Sequence, residues 1–166
     1  MMERKIGRQG LDCKIRMAKS HFCNVLGTNI IRYETAEVLG DDGTWDSWPD
    51  LPIRLYTDAK KLIAISWSGF DDLRIADDLS LPFLIEGSTV RWVNNRIEKL
   101  NAAVGASIRS VMLGQGEMAV DGSEIEIWTR LFIQLDTGWL EIFNALDENG
   151  FDFHAQVPNG SFITCI

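Results

Sequence analysis

The sequence of 166 residues repeats itself, and the repeat limits the fold more than any other feature. Residues 11–88 and 89–166 align at an offset of 78 without a gap. Gly27 then falls on Gly105, Ile30 on Ile108, Tyr33 on Val111, Ile53 on Leu131, Leu55 on Ile133, Asp58 on Asp136 and Leu62 on Leu140. A unit of this length is close to the size at which a lone hydrophobic core becomes marginal, so two fused units should share one core. The expected organisation is a single domain, residues 1–166, with an N-terminal extension (1–10), a first repeat (11–88) and a second repeat (89–166).

Each unit should open with an amphipathic helix. Leu11, Ile15, Ala18, Phe22 and Val25 recur at helical spacing before Gly27, and Val90, Val93, Ile97, Leu100 and Val104 do the same before Gly105. Ser88 or Thr89 would cap the second helix. The period then changes to two. Residues 29–38 and 107–112 read as a first strand, 53–57 and 124–135 as a second, and 62–67 and 139–145 as a third, with tight turns between them. Weaker terminal strands follow at 73–75 with 81–85 and at 151–157 with 161–166, where Pro82 and Pro158 favour edge positions. The fold class these patterns predict is α+β: mainly antiparallel sheet from both repeats, covered by two helices.

The charge is uneven. The chain carries a net −8, yet its first 20 residues hold six basic side chains against Glu3 and Asp12, so the rest is more acidic than the total implies. Such a body repels nucleic acid and attracts basic proteins. No apolar run is long enough to span a bilayer and no secretory stretch opens the sequence, so a cytoplasmic protein is expected. Cys13, Cys23 and Cys165 have no metal or disulfide spacing.

Two acidic clusters are the candidate contact residues. In the first, Trp45 and Trp48 sit among Asp41, Asp42, Asp46 and Asp50. Tryptophan rings supply buried area at protein interfaces, and carboxylates around them select a basic partner. The second is Asp71, Asp72, Asp77 and Asp78. At an offset of 76, Asp71 and Asp72 match Asp147 and Glu148, so both units place an acid pair after the third strand. Neither cluster has calcium-loop spacing. Paired acids can serve acid–base chemistry, and of the two histidines, His21 and His154, the latter could meet Cys165 across a hairpin. No nucleotide-phosphate loop is present. The expectation is no catalytic set, no metal and no cofactor.

Residues 105–108, Trp128, 131–136, 139–142 and 144–148 form a pattern that resembles small bacterial proteins of the toxin-immunity type, more clearly in the second half than in the first. The resemblance implies a protein that binds and neutralises a cognate toxin, here a basic toxin domain, and transfers no functional residue. Two alternatives remain open. One is a small-molecule module with a cleft between the repeats, lined by Trp67, Trp92, Trp128 and Trp139; the other is a scaffold that self-associates through a sheet face.

Overall fold

A computed structural model describes residues 9–80, 87–120, 122–146 and 148–166. The predicted strand at 81–85 and the acid Asp147 lie outside the described residues. The chain opens with α1 (Leu11–Phe22), whose Ala18 and Phe22 are fully buried, with Val25 just beyond it at 2 % exposure. Asp12 in its first turn and Lys19 in its last suit the helix dipole.

Two antiparallel sheets follow. The first contains β1 (Ile30–Leu39), β2 (Trp45–Ser47), β3 (Ile53–Thr57), β4 (Leu62–Ser68), β5 (Asp72–Ala76) and β6 (Val90–Asn94). One edge of β1 carries β3 and then β2, and its other edge carries β6. The second sheet runs β10–β9–β8–β7–β11, built from β7 (Ile108–Val120), β8 (Ser123–Leu135), β9 (Gly138–Asn144), β10 (Asn149–His154) and β11 (Phe162–Thr164). Ile53, Leu55, Ile63, Ile65 and Trp67 of the first sheet pack in one core with Leu113, Leu131, Ile133, Leu140 and Ile142 of the second.

The predicted α+β fold is therefore overturned. The described structure is mostly antiparallel β, with one short α-helix and a 3-10 helix at Glu98–Ala103, rather than a sheet covered by two helices. The segment 90–104 fails as a helix for a local and a tertiary reason. Val90, Trp92 and Val93 are β-branched or aromatic and suit a strand. The free edge of β1 receives them, with Thr35 opposite Val93 and Ala36 opposite Trp92. Asn95 then turns the chain at φ 50°, while its side chain accepts the Tyr33 amide and its own amide donates to the Tyr33 carbonyl. An extended Ile97 precedes the 3-10 helix. The apparent helical period is thus a strand and a 3-10 turn placed end to end.

The two sheets meet at a seam whose bonds repeat at the same offset of 78. Asn29 bridges Ser107. Gly27 N donates to Ile108 O at 2.7 Å, and Gly105 N donates to Ile30 O at 2.6 Å. The amides of Asn29 and Ser107 donate to the carboxylates of Asp58 and Asp136 at 3.0 and 2.9 Å. Gly27 and Gly105 take φ of 80° and 85°, a region that glycine enters without a Cβ penalty.

Away from the seam the offset slips. Leu55 pairs with Ile63, whereas Ile133 pairs with Leu140, so Ile63 rather than Leu62 occupies the position of Leu140. A second residue is lost at the next hairpin, where Ile65 pairs with Ile75 and Ile142 with Phe151. The offset in β5 and β10 is then 76, the value that matched the acid pairs. Among the described residues, no helix is long and apolar enough to cross a membrane.

Candidate functional site

Alternate strands of both sheets start at the seam and run outward, and the turns that follow them collect at the far end of the molecule. β1 extends from Ile30 beside the seam to Leu39, where it pairs with Trp45. β4 and β9 run outward to Ser68 and Asn144, and the turns after them lie side by side, because the Asn144 side-chain amide donates to Gly69 O at 2.9 Å.

Asn149 fastens this end together. It is 2 % exposed, and its side-chain amide donates to Pro49 O, Leu51 O and Ser66 Oγ at 3.0, 3.1 and 3.2 Å. Its side-chain oxygen accepts the Trp67 amide at 2.6 Å. One buried carboxamide thereby joins the β2–β3 link, β4 and the start of β10. The Trp67 indole adds a bond across the sheets to Ile142 O at 2.8 Å.

The far end is acidic and apolar at once. Asp41, Asp42, Asp46, Asp50 and Glu148 are exposed. Thr44 donates to Asp42 through hydroxyl and amide, which holds that carboxyl below its ordinary value. Phe70 is 62 % exposed and Leu146 71 %. Leu146 also takes φ 63°, a backbone state that costs a non-glycine residue on the order of 1 kcal/mol. Trp45 and Trp48 are half-buried. The Arg91 guanidinium lies over the Trp45 ring at 4.2 Å and pairs with Glu37 at 2.7 Å.

The second predicted cluster is divided. Asp71 is paired with Lys14 of α1, whose ammonium is buried, donates to Trp128 O at 2.8 Å and stands 5.5 Å from the Trp67 ring centre. Desolvation holds the Lys14 pKa below its ordinary value, against the opposing pull of Asp71. Asp72 pairs with Arg74 at 3.3 Å. β5 runs back toward the seam, so Asp77 and Asp78 lie at the opposite end from Asp71 and Asp72. Asp78 is held by Ser80, which lowers its pKa.

The four tryptophans proposed for a cleft are dispersed. Trp67 is in the core, Trp92 lies under the Arg54 guanidinium at 3.4 Å, Trp128 borders a depression of about 300 Å³ beside Lys14, and Trp139 lies on β9. The pairing of His154 with Cys165 is also overturned. β10 and β11 are opposite edges of the second sheet, and burial pushes the Cys165 thiol up to about 11, away from nucleophilic use.

His154 instead hydrogen-bonds Glu141 at 2.7 Å, and Arg130 grips the same carboxylate at 2.8 and 3.3 Å. Sequence reasoning missed Phe70, Leu146 and Asn149 at the far end as well as this cluster. An Asn-Gly pair at 149–150 reads as a turn, and nothing in the linear sequence marks a buried tether. Comparison with protein-family models, curated proteins and solved structures finds no match to this chain.

Proposed function

We propose that this is a non-catalytic protein-binding module of the immunity type, acting in the cytoplasm to bind and block a basic toxin domain through its far end. The observation that carries the reading is the pair Phe70 and Leu146. Two large apolar side chains stand exposed on adjacent turns, one of them in a strained backbone state, among carboxylates. Neither exposure nor strain favours the isolated fold, so a bound partner is the natural reason for both.

The contact set is Trp45, Trp48, Phe70 and Leu146 for buried area, with Asp41, Asp42, Asp46, Asp50 and Glu148 around them to steer a basic surface. Asp71, tied to Lys14, supports the turn that carries Phe70. Asp77 and Asp78 fall outside this set.

The test is affinity capture from the source cells with the wild-type protein and with Phe70→Ser/Leu146→Ser. The double variant should unfold within about 1 kcal/mol of wild type, since exposed substitutions change stability little. Its affinity for the captured basic domain should fall about 100-fold or more, as loss of central apolar contacts does. Unchanged affinity would refute the assignment.

A further inference from the structure

The outer face of the second sheet carries a polar cluster where the first sheet has alanines. Glu141 on β9 stands opposite Asp152 on β10, and His154 follows two residues later on the same face. One ligand-capable atom from each lies within 4.8 Å of the other two. Glu141 is only 4 % exposed. Strand pairing identifies the equivalent positions in the first sheet: Ala64 stands where Glu141 does, and its partner Ala76 stands where Asp152 does. Two alanines suffice there. In the second sheet the buried glutamate is kept with its charge satisfied by Arg130 and His154, so a ligand-capable cluster stands where the first sheet has only apolar side chains.

We propose that Glu141, Asp152 and His154 form a binding site for a first-row divalent transition-metal ion, with zinc the best chemical fit. One imidazole nitrogen with two carboxylates is a mixed nitrogen–oxygen set, suited to zinc and its neighbours rather than to calcium or magnesium, which favour oxygen throughout. Tetrahedral zinc places adjacent ligand atoms about 3.3 Å apart. The 2.7 Å separation of His154 Nε2 from Glu141 Oε1 must therefore widen slightly while the Asp152 side chain swings in.

Arg130 has the geometry of an outer support. Its Nε donates to Oε2 of Glu141 at 2.8 Å, which fixes the carboxylate plane, while its Nη2 donates to Oε1 at 3.3 Å and would have to yield that oxygen to the ion. Lys99 competes as well, since its ammonium stands 3.8 Å from Asp152. The open side of the cluster leaves one coordination position for water or a ligand group.

Cobalt(II) titration of the tag-free protein, followed by visible absorption and then by zinc competition, tests the site. The expected result is saturable one-to-one binding with the intense bands of low coordination. His154→Ala should weaken binding at least 100-fold and Asp152→Asn at least 10-fold. Lys99→Met should tighten it, and His21→Ala should leave it unchanged. Circular dichroism melts establish that each variant folds. Both His154 and Asp152 are partly exposed, so at least one of the two variants provides the reading. A spectrum of hydrated cobalt alone, or undiminished affinity in the folded His154 or Asp152 variant, would overturn the proposal.

Discussion

Replacing Asn149 by alanine should lower the free energy of unfolding by about 3–4 kcal/mol. The substitution leaves the Trp67 amide and the Leu51 carbonyl buried without their partner, and each orphaned group costs about 1–3 kcal/mol. Pro49 O keeps the bond from the Asn149 main chain at 2.8 Å, so its loss is partial. Asn149→Asp should be worse at neutral pH, because a carboxylate would face Pro49 O and Leu51 O in place of a donor. That variant should regain stability as the pH falls. Its buried acid has a raised pKa when folded, so stability is present in acid and lost as the pH rises through the folded value. Urea unfolding of the three proteins at neutral and acidic pH measures both effects. Equal stability of wild type and Asn149→Ala would show that the carboxamide does not hold this end together.

The second large effect is expected at Lys14 and Asp71. Asp71→Asn leaves an ammonium that is 1 % exposed without its hydrogen-bonded counter-charge, and breaking such a buried pair costs about 3–5 kcal/mol. Adding Lys14→Met to it should recover at least half of that loss, because the buried charge is then gone while the stem volume remains. The pH dependence has an unusual sign. Burial lowers the Lys14 pKa from 10.5, so between its folded value and 10.5 the unfolded chain binds more protons than the folded one. Stability from this group therefore rises with pH in that window. The gap between wild type and Lys14→Met, followed by urea unfolding from neutral pH upward, should move in favour of wild type. Movement the other way would mean that the ammonium is stabilised rather than strained by its surroundings.

How much of this was legible in the sequence depended on whether the signal was local. α1 was readable because Leu11, Ile15, Ala18 and Phe22 form one stripe in a segment without β-branched crowding. The segment 90–104 carried the same spacing, but β1 offered it an unpaired edge, and Asn95 supplied the turn that let a strand and a 3-10 helix take its place. Most strands were visible from their alternation, but β2, β6 and the outer part of β7 were not: 41–50 and 114–116 carry turn residues, and 90–104 carries a helical period. The slip between Leu62 and Ile63 was not visible either, because it follows from turn lengths that a gapless comparison cannot register.

Composition marked Trp45 and Trp48. It could not show that Asp71 is consumed by a lysine from the first helix, nor that the return of β5 carries Asp77 and Asp78 to the other end. Phe70 and Leu146 stand beside the acid pairs in the sequence, but nothing there marks them as contact residues; their exposure follows from the turns that hold them. Glu141, Asp152 and His154 become neighbours only through the register of β9 with β10, so their spacing along the chain resembles no ligand motif.

The most direct measurement of the central claim is hydrogen exchange on the protein alone and in complex with the captured basic domain. New protection should fall on residues 40–50, 69–71, 144–146 and 148, at the far end of both sheets, and weaken as salt screens the approach. Protection concentrated on α1 or on the outer face of the second sheet, with those turns unchanged, would contradict it.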